Sequence, residues 1–262
     1  MMTESERELY QLHANQPVYK KHKKQAIELV KNALIAQKGT WVVSYSGGKD
    51  STVLLDLCVK AGWKGPLLYI YYSKYENPEE NLKMIEWATK HYGLELHQVD
   101  APGEIYTYRQ IGHFFILPST DEERKAVAKT NREYKGAVNK YVKKQDWIGQ
   151  FIGMRIDESG QRKQTLGCRG PLYFAKTRGT WTCCPIYRWS GKDIWAYIVE
   201  NDLPYEPVYD LEGEDRERLR NEPTFFVTEA IWRYGAAQVV KRHHAKLFNE
   251  LAAEFPEIRQ FL

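Results

Sequence analysis

The sequence holds few cysteines, 4 in 262 residues, and that scarcity argues against a disulfide framework. No apolar run approaches ~20 residues, so a helical membrane span is not expected. The opening stretch, MMTESERELYQLHANQPVYKK, lacks the apolar core of a secretory signal; the expected location is the cytoplasm. Internal repeats and low-complexity segments are absent. Two phosphate-binding fingerprints are also missing. A Walker A loop needs G-x-x-x-x-G-K-S/T, but Val43 and Asp50 occupy the first glycine and the hydroxyl positions. The dinucleotide pattern G-x-G-x-x-G does not occur either. These absences disfavour kinase-type γ-phosphate chemistry and Rossmann binding. No C-x-x-C spacing announces zinc.

What is present is an ordinary globular composition, 43% hydrophobic and 27% charged, on a chain long enough to bury one large core. The net charge of +4 says little by itself. Local basic clusters, KKHKK (Lys20 to Lys24) and YKGAVNKYVKK (Tyr134 to Lys144), read as solvated helix faces or as contacts with nucleic acid or another polyanion. TWVVSY (Thr40 to Tyr45) predicts a buried strand, and helical spacing follows at Val53, Leu54, Leu57 and Cys58. That spacing makes Cys58 a buried structural thiol. PLLYIYY (Pro66 to Tyr72) predicts a second strand, PEENLKMIEWATKHYG (Pro78 to Gly93) a helix, and LELHQVD (Leu94 to Asp100) a third strand. This alternation means parallel strands joined by crossover helices. Asp121 to Lys144 is charged and helix-favouring, and DWIGQFIGMR (Asp146 to Arg155) returns to strand character. SGKDIWAYIVEN predicts a helix capped by Ser190 and Asp193. The expected fold is α/β, a doubly wound and mainly parallel sheet. A helical N-terminal extension covers 1–38, the nucleotide-binding domain 39–210, and a helical C-terminal region 211–262.

The chemistry starts at SGGKDS, Ser46 to Ser51. A glycine-rich turn from strand to helix puts unpaired N–H groups and the positive end of a helix dipole at one spot, which makes an anion site. Gly47 and Gly48 allow close backbone approach, Lys49 adds a full charge, and Ser46 and Ser51 add hydroxyl donors. Asp50, beside the phosphates, is the better placed of the acids to hold Mg²⁺, with Asp157 and Glu158 as alternatives.

After an apolar strand this loop resembles the pyrophosphate-binding PP-loop of the adenine nucleotide α-hydrolase-like superfamily. That group includes ATP pyrophosphatases, tRNA-thiolating enzymes and the phosphoadenosine phosphosulfate (PAPS) reductase family. IGMRIDESGQRK (Ile152 to Lys163) resembles the arginine-bearing loop of PAPS reductase-like proteins. CCPIYRWSGKDIWAYIVENDLPYEPVYD (Cys183 to Asp210) resembles their segment ending L-P-Y-x-P-x-Y-D. The resemblance implies that Ser46, Gly47, Gly48, Lys49, Asp50 and Ser51 hold the phosphates of ATP or PAPS. It places the end of the second strand, Tyr72 and Ser73, beside the adenine. It sets Arg155 and Ser159, with Arg162 and Lys163, toward the phosphate or sulfate end. Guanidinium suits those oxygens bidentately, whereas a surface ion pair with Asp157 or Glu158 is the plainer role for Arg155.

The chain departs from a thiol-dependent reductase. That family carries its nucleophilic cysteine near the C-terminus, and here no cysteine follows Cys184. The loop, by contrast, is intact, which suits ATP cleaved between its α and β phosphates. Cys168, Cys183 and Cys184 are three thiols, the number that holds an iron–sulfur (4Fe–4S) cluster with one iron open. A persulfide on Cys183 or Cys184, zinc with His243 or His244, and plain buried thiols are the alternatives. Tyr69, Tyr71, Tyr72 and Trp87 read as core and pocket walls. The expected activity is adenylation of an acceptor for sulfur transfer, catalysed by Lys49, Asp50 and Arg155. A sulfonucleotide enzyme borrowing a partner's thiol and a non-catalytic nucleotide sensor stand beside it. The acceptor stays open, nucleic acid or protein included, as does a homodimer.

Overall fold

The computed structural model describes residues 2–74, 76–77, 79–115, 117–210, 216–217, 241 and 244–261. Two helices come first, α1 (Glu4–Ala14) and α2 (Pro17–Ala36). Then follow β1 (Trp41–Ser44), α3 (Lys49–Lys60), β2 (Leu67–Tyr71), α4 (Glu79–Tyr92) and β3 (Leu96–Asp100). Next are α5 (Glu104–Ile111), α6 (Asp121–Lys143), β4 (Gly149–Phe151) and α7 (Gly160–Arg169). The hairpin β5 (Leu172–Ala175) and β6 (Thr180–Cys183), α8 (Gly191–Glu200), a 3₁₀ turn (Pro207–Asp210), α9 (Ala245–Glu254) and a second 3₁₀ turn (Pro256–Phe261) complete the described elements. Of the helical C-terminal region expected over 211–262, residues 211–215, 218–240, 242–243 and 262 lie outside the described residues, as does Pro78.

Six strands form one sheet in the order β3-β2-β1-β4-β6-β5. β1 pairs in parallel with β2 and β4, β4 pairs in parallel with β6, and β5 runs antiparallel to β6. The chain winds outward from β1 to β3, then returns past β1 to β4. The winding therefore reverses between β1 and β4. Ligands of doubly wound sheets bind at such a reversal, outside the carboxyl ends of the strands, and the Ser46–Ser51 loop follows β1 there.

The chain divides into two compact units. The first comprises Met1–Tyr69, Glu80–Gln98 and Tyr141–Asn221. Its core joins Tyr19 and Ala26 of α2 and Val53 and Leu57 of α3 to Ile194, Trp195 and Ile198 of α8. The N-terminal helices are thus part of this core. α1 opens on a capping box, Thr3 with Glu6. His13 Nε2 and His22 Nδ1 meet the Asp193 carboxylate at 2.8 and 3.3 Å, and the Tyr19 hydroxyl donates to Glu200 at 2.6 Å. As expected, Ser190 and Asp193 cap α8 reciprocally.

Buried Asp56 ties three helices of this unit together. It accepts from the Tyr197 hydroxyl at 2.5 Å and the Tyr92 hydroxyl at 2.9 Å, and it pairs with Lys60 at 2.7 Å. Burial and the Asp56 charge push both tyrosines up, so both remain donors at any ordinary pH. Asp56→Ala leaves the two hydroxyls without their acceptor and is expected to cost about 2–4 kcal/mol. Thermal melts should then show a loss of about 5–10 °C, with part recovered in Asp56→Asn; a loss under about 1 °C would contradict this role.

The second unit comprises Ile70–Glu79, Val99–Lys140 and Glu222–Leu262. Its core packs Ile105 and Tyr108 of α5 and Phe114 against Phe248, Leu251 and Phe255. Arg109 forks onto Glu254 at 2.5 and 2.9 Å, and the Thr107 hydroxyl reaches Thr130 at 2.7 Å. Among the described residues, no helix is long and apolar enough to cross a membrane.

Candidate functional site

The loop after β1 is shaped by its own residues. Gly47 has φ +82°, and a Cβ there would stand 2.5 Å from Asn81 Nδ2; glycine alone meets both conditions. The Ser51 hydroxyl donates to the Gly48 carbonyl at 2.9 Å and accepts from the Ser46 amide at 3.3 Å. Ser51 therefore ties the loop into a concave turn. Gly48 caps α3 with no side-chain cap hydrogen bond. The Lys49 amide donates to the Tyr209 hydroxyl at 3.2 Å, and a helix start without a side-chain acceptor on its N-cap leaves the amides after it suited to an anion.

Charge gathers at the same end of α3. Asp50 receives Arg155 Nε on Oδ1 at 2.5 Å and Lys49 Nζ on Oδ2 at 3.3 Å. Lys49 and Arg155 are both buried, 3% exposed each. Arg155 also makes the pair with exposed Asp157 that was its plainer role, Nη1 to Oδ2 at 3.7 Å, and its Nη1 donates to the Trp189 carbonyl at 3.1 Å. Asp50 and Asp157 thus oppose Lys49 and Arg155 in charge, and the positive end of the α3 dipole is added to them. Burial pulls Lys49 below the ordinary lysine range, with Asp50 opposing. Burial alone would raise the Asp50 carboxyl, but the Lys49 and Arg155 charges outweigh it and hold it low. The turn after β4 comes close, since a Cβ on Gly153 would lie 3.3 Å from the Asp50 carbonyl.

From Arg155 the chain turns into α7. Glu158 accepts from the Arg155 amide at 3.0 Å and pairs with the Arg162 guanidinium, and Ser159 caps α7 by accepting from the Arg162 amide at 3.2 Å. Arg155, Ser159 and Arg162 thus form one linked turn, while Lys163 is exposed. Tyr72 and Ser73 belong to the second unit. There the Tyr72 amide donates to Asn77 at 2.7 Å, and the Ser73 hydroxyl donates to Glu76 at 2.9 Å.

Three residues that support the loop were not anticipated. Asn81 donates to the Ser46 carbonyl and to Glu206 Oε1 at 3.2 Å, while accepting from the buried Tyr69 hydroxyl at 2.8 Å. Glu206 is 1% exposed. Tyr209 accepts from the Lys49 amide at 3.2 Å, and its ring lies 5.0 Å from Lys49 Nζ. A signal existed for each. Asn81 shares the apolar face of α4 with Met84, Ile85 and Ala88; an amide at that position of an amphipathic helix calls for a buried partner. Glu206 and Tyr209 stand in LPYEPVYD, quoted above for its resemblance.

The expected metal ligands fit less well. Cys168 is exposed on α7, whereas Cys183 and Cys184 are buried. Burial pushes the Cys184 thiol up to about 12, and Cys183 well above the ordinary thiol range. Among the described residues, no three His, Cys, Asp or Glu side chains gather to hold a metal ion. The cysteines as arranged do not fit an iron–sulfur cluster. Both oxygens of Asp50 already face cations, so the carboxylate does not fit a magnesium ligand either. Glu158 is likewise engaged, and His243 lies outside the described residues.

Comparison with known proteins agrees with the loop and the sheet. An uncharacterized protein of Methanocaldococcus jannaschii is 27% identical over 240 residues, 91% of this chain and 46% of its own. The phosphoadenosine 5′-phosphosulfate reductase of Gloeobacter violaceus is 27% identical over 179 residues, 64% of this chain and 65% of its own. The chain thus spans about half to two thirds of the length of these relatives. Among solved structures, the PAPS reductase of Candida auris in its phosphate complex superposes with a TM-score of 0.52 at 15% identity, over 82% of this chain and 95% of that one. This is a likeness of fold. The phosphoadenosine phosphosulfate reductase domain matches residues 40–241, and with the loop, the doubly wound sheet and the buried arginine it fits one conclusion: the chain belongs to the PAPS reductase domain family.

Proposed function

We propose that this chain is an ATP-dependent adenylating enzyme. An acceptor oxygen attacks the α-phosphorus of ATP, the bond to the bridging oxygen breaks, and pyrophosphate leaves with the electron pair. The observation that carries this reading is the intact Ser46–Ser51 loop leading into a helix whose N-cap, Gly48, has no side-chain acceptor, flanked by buried Lys49 and Arg155. Such a cradle matches a leaving pyrophosphate, whose charge grows as the bond breaks. Fixed donors stabilise that growing charge without reorganising. In this assignment Lys49 and Arg155 face the leaving oxygens. Asp50 holds both cations in place, Ser51 holds the loop shape, and Asn81, Glu206 and Tyr209 support it from below.

The two buried thiols favour ATP over sulfonucleotide reduction at Cys183 or Cys184. Attack on sulfur needs a thiolate, and burial keeps Cys183 and Cys184 protonated. Adenylation makes the acceptor electrophilic, which is the preparation that a later sulfur transfer needs.

The test is turnover of α-labelled ATP, supplied as its magnesium complex, with AMP resolved from ADP. AMP appearing in step with pyrophosphate supports adenylation. No AMP, together with PAPS binding at least tenfold tighter than ATP, would replace this reading with a sulfonucleotide one.

A further inference from the structure

Between Glu158 and Asp193 the chain carries seven lysines and arginines and not one acidic residue. With 34 acids in 262 residues, about four would fall in a stretch of that length, so the one-sided charge is a feature of this segment. It folds as α7, the β5–β6 hairpin and the approach to α8. β5 is the last strand of the sheet, and the hairpin is unusually aromatic for an edge. Phe174 is 47% exposed and packs edge-on against half-buried Trp181, with ring centroids 5.6 Å apart. The Arg169 guanidinium lies over the half-buried Tyr173 ring at 5.3 Å. Lys176 is exposed in the turn and Arg178 partly so. The Tyr173 hydroxyl, raised chiefly by burial, also feels both Arg169 and Arg178.

We infer that this hairpin is a binding surface for single-stranded nucleic acid. Arg162 is paired with Glu158, but Arg169, Lys176 and Arg178 have no ion pair among the described residues, and such cations attract a phosphate backbone. The exposed Phe174 ring and the half-buried Tyr173 and Trp181 rings among them offer faces for unpaired bases, the combination by which single strands are held without reading sequence. A duplex hides its base faces and uses only half of this arrangement. A protein strand added to the β5 edge is disfavoured, because the edge is four residues long and flanked by cations. The inference is independent of the ATP reading, since the surface binds without turnover.

The test is fluorescence anisotropy of the full chain with a labelled 15-nucleotide single strand, as RNA and as DNA of one sequence. The matching duplex and labelled heparin serve as comparisons. Single strands are expected to bind several-fold more tightly than duplex, with affinity falling linearly in log salt. Arg169→Gln/Lys176→Gln/Arg178→Gln should lower affinity at least tenfold and reduce the salt slope by about 2, at ~0.7 per phosphate contact. Phe174→Ala should weaken single-strand binding about tenfold and leave heparin binding unchanged, which also shows that the variant is folded. Lys20→Gln/Lys21→Gln/Lys24→Gln, an equal charge loss elsewhere, should change affinity less than about twofold. A preference for RNA or for DNA supports the inference and identifies the sugar. No binding at ~100 mM salt, equal losses in the two charge variants, or Phe174→Ala that leaves single-strand binding intact or lowers heparin binding equally, each overturns it.

Discussion

Lys49→Ala is expected to lower AMP formation from ATP by about 10²- to 10³-fold, the range seen when one fixed donor to a developing anion is removed. The size follows from burial. Lys49 lies 3% exposed at the start of α3, where water cannot replace the lost charge. Its ammonium is also oriented on two sides, by Asp50 at 3.3 Å and by the Tyr209 ring at 5.0 Å. The loss should fall on kcat as well as on kcat/KM, because the interaction strengthens as pyrophosphate departs. The fold should survive, since Asp50 keeps Arg155 as its partner at 2.5 Å. Single-turnover rates with saturating ATP measure this. A rate within threefold of wild type would remove Lys49 from the chemistry and leave it a structural cation.

Asp50→Asn should produce the larger change in stability. It removes the carboxylate shared by buried Lys49 and Arg155 and leaves Arg155 with exposed Asp157 at 3.7 Å, and breaking a buried pair from one side costs about 3–5 kcal/mol. For a chain of this size that is a fall of about 10 °C in thermal midpoint. Added pyrophosphate should restore more of the midpoint in Asp50→Asn than it adds to wild type, because the anion takes the place of the missing carboxylate. Saturation about 100-fold above Kd contributes roughly 2.7 kcal/mol. The wild-type carboxyl is held below its unfolded value by Lys49 and Arg155 against the opposing effect of burial. A depressed acid contributes stability that is present above its unfolded pKa of about 3.9 and is lost as pH falls through the folded value. Wild type should therefore lose stability more steeply than Asp50→Asn below about pH 4. Urea titrations at pH 7 and pH 3.5 decide it: parallel pH profiles, or no recovery with pyrophosphate, would count against Asp50 as the site's counter-ion.

Much of this architecture was legible from local pattern. The apolar run into SGGKDS marked β1, the loop and α3. The Ser190–Asp193 pair marked the start of α8, and the charged stretch from Asp121 became α6. α7 escaped notice because Leu166 is its one buried side chain, too little to make an apolar periodicity. The β5–β6 hairpin escaped because its strands are four residues each and mix Thr and Cys with aromatics. The cysteines show the opposite error. Their closeness in sequence suggested one site, yet the fold exposes Cys168 and buries Cys183 and Cys184.

By itself the sequence determined the family, the strand-to-helix loop at SGGKDS and the parallel α/β class, because each is written in contiguous residues whose spacing matches a strand, a turn or a helix. Only the tertiary structure decided the strand order, and with it the position of the loop at the reversal between β1 and β4. It alone brought Arg155 to Asp50 across 105 residues, Glu206 to Asn81 across 125 and Tyr209 to Lys49 across 160. Pairings at that range leave no periodic trace in the chain. They follow from which faces must be buried together, and a buried carboxylate selects its cations only once the sheet has closed around it.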